Sequence, residues 1–350
     1  MPAIAVDSLY KIFGKGAKHA VAELKSGTPR DQLSKHVTAA VIDHTWEISS
    51  GEIFVVMGLS GSGKSTLIRM LNGLIKPTSG TIWIDNTDLG ALSPRALRQL
   101  RRERISMVFQ HFALLPHRTV LENVAFGLEI KKLGKEERLA RAQEAVDLVG
   151  LTGTEDKLPA QLSGGMKQRV GLARALAADT DILLMDEAFS ALDPLIRQEM
   201  QDQLLELQAK LGKTIVFITH DLNEAMRIGD RIAICDGQVM QLGTAEDILM
   251  NPANDYVTDF TADVDRTRVL TAEAVMEPLG DADTSSYDTV ESDTHVNELY
   301  ESVLSSQHPV LVVDDRSDPL GVVTPRAIIK SLVSETDADR TETEEETQPA

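Results

Sequence analysis

Three short runs along the chain, Ile53–Met57, Ile182–Met185 and Ile215–Ile218, are apolar at every position. Alternation would mark strands with one wet face. Unbroken runs of four or five mark strands covered on both faces, as in a parallel sheet. Each run ends in a polar or glycine-rich turn, and helical spacing follows. Strand, loop and helix in repetition predict an α/β core.

Residues from roughly 91 to 178 read differently. Ser93 and Pro94 have the character of an N-cap and a first helical residue, opening a helix through Arg104. A second helix is predicted over 135–149, where Lys135 to Arg141 is heavily charged. The stretch reads as a helical subdomain inserted into the core. Residues 15–40 form a polar, helix-like insertion containing Pro29. Beyond about 260 the composition turns acidic. A small α/β unit over 263–334 is predicted there, with strands at Val310–Val313 and Gly321–Val323 and a helix from Pro325. Residues 335–350 lack apolar periodicity and are expected to be a disordered acidic tail.

Composition narrows the function classes. The chain has 350 residues, 42% of them hydrophobic, and a single cysteine, Cys235. No run nears the roughly 18 apolar residues that cross a bilayer. The first residues lack the basic start and apolar core of a secretory signal, so the expectation is a cytoplasmic chain. The net charge is −19, and residues 261–350, with 21 acidic and 6 basic side chains, hold −15 of it. Such a chain is a poor nonspecific binder of nucleic acid. An anionic C-terminal region also suggests control through salt-screened fields.

The chemistry begins where the first apolar run ends. Gly58-Leu59-Ser60-Gly61-Ser62-Gly63-Lys64-Ser65 matches the phosphate-loop pattern G-x-x-x-x-G-K-[ST]. By chance those fixed positions recur in roughly one chain of this length in a hundred. The strand before and the helix after make the match specific. Glycines let successive N–H groups face phosphate oxygens, and the helix N-terminus adds partial positive charge. Lys64 is expected to neutralise the β- and γ-phosphates of ATP, Ser65 to ligate Mg²⁺, and Thr66 to donate to the α-phosphate.

The second run, Asp181 to Glu187, ends in two acids. Beside a phosphate loop, Asp186 is expected to hold Mg²⁺ and Glu187 to accept a proton from the attacking water. Alone, such a strand end would only cap the next helix. His220 and Gln110 also end strand-like runs. A strand-end histidine is more often structural, but the C-terminal edge of a central strand lies in the nucleotide crevice. There His220 would bond the γ-phosphate, and the Gln110 amide would touch Mg²⁺ and the lytic water.

Leu162-Ser163-Gly164-Gly165-Met166 opens another helix with a serine and two glycines. The plain reading is an N-cap with flexible glycines. The alternative is a second anion site serving the ATP of a partner molecule in a tail-to-head pair.

With these motifs in order, residues 1–260 resemble the ABC ATPases. The resemblance implies a Q-loop at Gln110, a signature at Ser163, Gly164 and Gly165, a D-loop at Ser190–Asp193 and an H-loop at His220. It implies Phe13 as the adenine-stacking aromatic, with Tyr10 as runner-up. The segments EIFVVMGLSGSGKST, MVFQHFALLPHRTV, MDEAFSALDPLIRQEMQ and HDLNEAMRIGDRIAI further resemble ATPases of glycine betaine/proline importers. That implies a homodimer on the cytoplasmic face of a membrane, a transmembrane permease and, indirectly, a solute-binding protein. No nucleic-acid partner is implied. An importer of another solute, such as methionine or a polyamine, and a non-transport ABC ATPase stay open. The C-terminal unit resembles a single CBS domain at Ala274–Pro278, His308–Asp314 and Leu320–Arg326.

Overall fold

The computed structural model describes residues 2–110, 112–280, 284, 286–306 and 308–332. The tail expected over 335–350 lies outside them. The chain divides into two compact units, Met1–Thr244 and Ala245–Ala350.

In the first unit, β1 (Pro2–Gly14) pairs antiparallel with β2 (Val37–Ser49), and α1 (Ala17–Lys25) lies between them in sequence. The polar insertion is therefore the long connection of a strand pair. β3 (Ile53–Met57) feeds through the glycine-rich loop into α2 (Lys64–Leu71). β4 (Ser79–Ile84) and β5 (Thr87–Asp88) complete a four-stranded sheet of order β2-β1-β4-β5.

The chain continues through α3 (Pro94–Arg104), β6 (Ile105–Phe109), α4 (Val120–Ile130), α5 (Lys135–Leu148) and α6 (Gly164–Ala177). Then come β7 (Ile182–Asp186), α7 (Pro194–Leu211), β8 (Thr214–Thr219), α8 (Leu222–Ile228), β9 (Arg231–Asp236) and β10 (Gln238–Gly243). The second sheet has the order β10-β9-β3-β8-β7-β6. Its strands are parallel except β10, which returns antiparallel to β9. The three apolar runs are its central strands β3, β8 and β7, as the sequence predicts.

Side chains alternate between the two faces of this sheet. Phe54, Val56, Ile182, Leu184, Val216 and Ile218 join Leu67, Ile68, Met70 and Leu71 of α2 in one core. Ile4, Leu9, Trp46, Ile48 and Ile82 of the antiparallel sheet close that core from the other side. Helix α2 is thus held between two sheets, and its N-terminus is fixed by packing along its whole length. On the opposite face Phe189 and Phe217 meet at 5.5 Å between ring centroids.

Local signals set the helix ends. Ser93 Oγ accepts from Ala96 N at 3.2 Å, as the N-cap reading requires. Thr119 and Glu122 form a capping box at the start of α4. The stretch 91–178 is not continuously helical, however. β6 lies within it and pairs with β7, Ile105 opposite Ile182. Ile105 and Val108 are buried there, so this run belongs to the sheet. The helices that pack on one another are α4, α5 and α6.

The second unit comprises α9 (Ala245–Met250), α10 (Asp255–Thr261), α11 (Ala272–Val275), β11 (Glu277–Pro278), β12 (Thr289–Glu291), α12 (Val296–Ser305), β13 (Val310–Val313), β14 (Pro319–Val323) and α13 (Pro325–Leu332). Its sheet has the order β11-β14-β13-β12, with β12 parallel to β13 and β14 antiparallel. The unit starts ahead of the boundary expected near 260. Glu246 Oε1 accepts from Thr271 N at 3.2 Å and from Thr271 Oγ1 at 2.6 Å. That bond ties α9 to the start of α11, so the short helices before 260 belong with the C-terminal unit. Among the described residues no helix is long and apolar enough to cross a membrane.

Candidate nucleotide site

Parallel register brings the sequence-predicted residues to one sheet edge. Met57 lies opposite Thr219, Ile218 opposite Asp186, and Asp186 opposite Phe109. The next residues along each strand, Gly58, His220, Glu187 and Gln110, therefore leave the sheet at the same end.

The loop 58–63 turns through positive φ at Gly58 (151°), Gly61 (86°) and Gly63 (94°). A Cβ on Gly58 would stand 2.0 Å from Cys235 O, and one on Gly63 would stand 1.9 Å from Ala40 O. Both are backbone atoms that cannot yield, so glycine is required twice over. Ser60 and Gly61 are exposed at the loop tip, and Ser62 is buried. Thr66 N donates to Gly63 O at 2.9 Å in the first turn of α2.

Lys64 is buried, and its Nζ donates to Gly58 O at 2.6 Å and to Leu59 O at 2.9 Å. Burial lowers its pKa, against the opposing pull of Glu187, Cys235 and Asp186. Ser65 Oγ donates to Asp186 Oδ1 at 3.3 Å. Burial raises the Asp186 pKa, and the Ser65 hydrogen bond works against it. A hydroxyl beside a carboxylate is a hard-oxygen donor pair, the chemistry that suits Mg²⁺ rather than a softer metal.

Glu187 sits just past Asp186 with φ at 47°, and its N–H donates to Ile218 O at 3.0 Å. This strained backbone is held from the neighbouring strand and aims the carboxylate off the sheet edge. Gln110 Nε2 donates to Glu187 Oε2 at 3.0 Å and to Ser190 Oγ at 3.2 Å. His220 Nδ1 stands 3.5 Å from the same Glu187 oxygen. Gln110, Glu187 and His220 thus form one cluster, and Ser190, expected as the first residue of the D-loop, joins it through the Gln110 amide.

Phe13 is 42% exposed, whereas Tyr10 is 3% exposed and packs in a small core with Ile12, Val21 and Ile42. Burial pushes the Tyr10 phenol up to about 12, with Asp43 adding to the shift. Lys11 Nζ lies 5.0 Å from the Phe13 ring centroid. Phe13 pairs with Thr38 in the strand whose Ala40 carbonyl abuts Gly63, so it lies near the phosphate loop.

Ser163 caps α6, its Oγ accepting from Met166 N at 3.3 Å. A Cβ on Gly165 would meet Ile196 Cγ2 at 2.6 Å, while Gly164 has more room. Asp193 caps α7, its Oδ1 accepting from Ile196 N at 3.1 Å. No bond in the described residues joins Ser163, Gly164 or Gly165 to the Lys64–Glu187 cluster.

Two supports escaped the sequence patterns. Arg197 Nη1 donates to Asp221 Oδ2 at 2.8 Å and its Nη2 to Leu192 O at 3.3 Å, linking the segment before Asp193 to the residue after His220. Gly237, at the β9–β10 turn, donates its N–H to Ser62 O at 3.2 Å. The Gly237 carbonyl accepts from Ile42 N at 2.8 Å and lies 3.1 Å from His44 Nε2. Trp46 Nε1 points at His44 Nδ1 at 3.5 Å. That arrangement needs a neutral imidazole carrying its proton on Nε2. No local sequence pattern announces either support.

The chain is similar to known proteins along most of its length. Residues 41–190 match the ABC transporter family model. The chain is similar to the glycine betaine transport ATP-binding protein OpuAA of Bacillus subtilis, 45% identical over 99% of this chain and 96% of that one. It is 57% identical to the glycine betaine/carnitine transport ATP-binding protein GbuA of Listeria monocytogenes, over 79% of this chain and 70% of the relative. A dimeric ATP-binding cassette solved in a post-hydrolysis state with ADP and Pi superimposes with a TM-score of 0.59 at 34% identity, covering 69% of this chain and 98% of that one.

The His44 brace makes a pH prediction. Burial lowers its pKa from 6.5 to about 4. On acidification the unfolded chain therefore takes up the proton first. The stability due to neutral His44 is complete above pH 6.5 and is lost as the pH falls to about 4. Both tryptophans, Trp46 and Trp83, lie in the first unit and report its melting. The melting midpoint of the parent should fall more steeply across that window than that of His44→Gln. Parallel curves would contradict the brace.

Proposed function

The chain belongs to the ABC transporter ATP-binding proteins, and from that membership we propose that it powers an importer of small quaternary ammonium solutes such as glycine betaine. It is an ATPase. In this reading it works as a homodimer, peripheral on the cytoplasmic face of the membrane, bound to a transmembrane permease and served indirectly by a solute-binding protein. The names of both relatives support the solute class, since glycine betaine and carnitine are quaternary ammonium compounds.

The observation that carries the catalytic reading is the cluster of Gln110, Glu187 and His220 beside the Ser65–Asp186 pair. The loop 58–63 takes the phosphates, with Ser60 and Gly61 exposed at its tip and Ser62, whose N–H donates to Leu59 O at 3.2 Å, holding the loop's curve beneath them. Lys64 exchanges its loop carbonyls for β- and γ-phosphate oxygens, and Thr66 donates to the α-phosphate. Ser65, Asp186 and Gln110 are the residues that would hold Mg²⁺. When bound, the ion neutralises charge on the phosphate oxygens. Glu187 accepts a proton from the water that attacks the γ-phosphorus, and the leaving oxygen departs as ADP. His220 donates to the γ-phosphate, and Phe13 stacks on adenine. Ser163, Gly164 and Gly165 serve the ATP held by the partner chain, and Asp193 lies at the same junction. Ser163 caps α6 ahead of the two glycines, a second helix N-terminus suited to an anion, and this supports the assignment.

The C-terminal unit is a single CBS-like module in this reading. Its support is the order β12, α12, β13, β14, α13, with a parallel pair followed by a hairpin.

The general base is tested by Glu187→Gln. ATP binding should persist while turnover falls by about 10²–10⁴-fold, the usual contribution of a positioned base. The variant should accumulate as an ATP-bound dimer in size-exclusion chromatography, and normal turnover would overturn the assignment. Adenine stacking is tested in steady-state kinetics. Phe13→Ala should raise KM for ATP roughly tenfold, since a base–aromatic stack contributes about 1–3 kcal/mol. Tyr10→Phe should leave KM unchanged, and the reverse pattern would reassign the ring.

A further inference from the structure

The segment after Gln110 contains two consecutive residues in left-handed backbone, Phe112 with φ at 44° and Ala113 with φ at 49°. Neither is glycine, asparagine or aspartate, which occupy that region at little cost. Two such residues in succession persist only where neighbouring contacts hold them.

Those contacts come from α6. Arg174 Nη1 donates to Ala113 O at 2.6 Å, and Arg174 Nη2 donates to Phe112 O at 3.1 Å. Gly171, one turn earlier, faces the same place: a Cβ on it would lie 3.8 Å from Phe112 O. Among the described residues Arg174 has no carboxylate partner, and burial lowers its pKa with nothing to offset it. A half-buried guanidinium without a counter-charge gives up part of its hydration. Here both arms of its fork are given to two adjacent carbonyls, which fixes the turn more firmly than one neutral bond would.

The two ends of α6 then stand at different places. Its first residues follow Ser163 and include Gly164 and Gly165. Arg174 lies ten residues along, about 15 Å away at the helical rise. It grips the turn that follows Gln110, whose amide reaches Glu187 and Ser190.

We infer that Arg174 is a positioning residue that makes α6 a lever between two nucleotide sites. The signature end answers to the ATP on the partner chain. The Arg174 end sets the turn at Phe112 and Ala113, and through it the placement of Gln110 against this chain's own Glu187. ATP bound at one site then changes turnover at the other, which is a coupling between sites. The inference rests on the proposed placing of Ser163–Gly165 at the partner's ATP.

The test uses the full chain reconstituted with its permease. Parent, Arg174→Lys, Arg174→Ala and Arg174→Ala combined with Ala113→Gly are compared. For Arg174→Ala the Kd of a fluorescent ATP analogue should stay within about twofold, kcat should fall about tenfold or more, and the Hill coefficient for ATP should drop toward 1. Lysine, reaching one carbonyl, should fall between. Ala113→Gly makes the turn accessible without Arg174, so the double variant should regain kcat while its Hill coefficient stays near 1. A parent Hill coefficient of 1, or one unchanged in Arg174→Ala, overturns the lever. If Arg174→Ala does not fold, Arg174→Lys decides by the same criterion. ATP-dependent dimerisation in a Glu187→Gln background separates the two readings. If no dimer forms, the composite site itself fails. If the dimer forms and the Hill coefficient does not respond to Arg174, only the lever fails.

Discussion

Everything at the nucleotide site depends on a loop pressed between two backbone segments with no room for a side chain. Gly58 lies against the Cys235 carbonyl and Gly63 against the Ala40 carbonyl. Those carbonyls belong to β9 and to β2, which sit in different sheets. The loop therefore takes its shape only when both sheets have closed over α2. The apolar face of α2, from Leu67 to Leu71, brings them together. Hydrophobic burial of a short helix and the aim of its N-terminus are one event, and the anion site is its product.

The second constraint is register. Four parallel strands, β3, β8, β7 and β6, end within a residue of one another, so the residues that come after them converge without any long-range side-chain design. Part of the chain's strained backbone lies at the same edge. Glu187, Phe112 and Ala113 all carry positive φ, and each is held by a bond from another element: Ile218 O for Glu187, Arg174 for the other two. These bonds hold the Glu187 carboxylate and the Gln110 amide together at the sheet edge, which is the preorganisation the proposed chemistry calls for.

How much of this is legible in the sequence depends on how local each feature is. The phosphate loop is contiguous, and every residue in it is named by the pattern. Glu187, His220 and Gln110 are legible because each ends an apolar run, and in a parallel sheet a strand end already specifies a location. The preference for Phe13 over Tyr10 comes from resemblance, and the exposure of one ring and burial of the other agree with it. The supports are not legible. Arg174 meets Phe112, His44 meets Gly237 and Arg197 meets Leu192 through backbone carbonyls, which every residue has and no pattern marks. Composition also misplaces the start of the second unit, because α9 and α10 lie before the acidic shift and are assigned by the Glu246–Thr271 bond rather than by charge.

The central claim is that each ATP is completed by two chains. Mixed dimers test it most directly. A chain with Lys64→Ala has a disabled phosphate loop and an intact signature; a chain with Ser163→Arg has the reverse. Each should be inactive alone. In a mixed dimer one composite site has both parts intact, so ATPase activity should return on mixing and scale with the fraction of mixed dimers. Activity in Ser163→Arg alone, or none in the mixture despite dimer formation, would contradict a site shared between two copies.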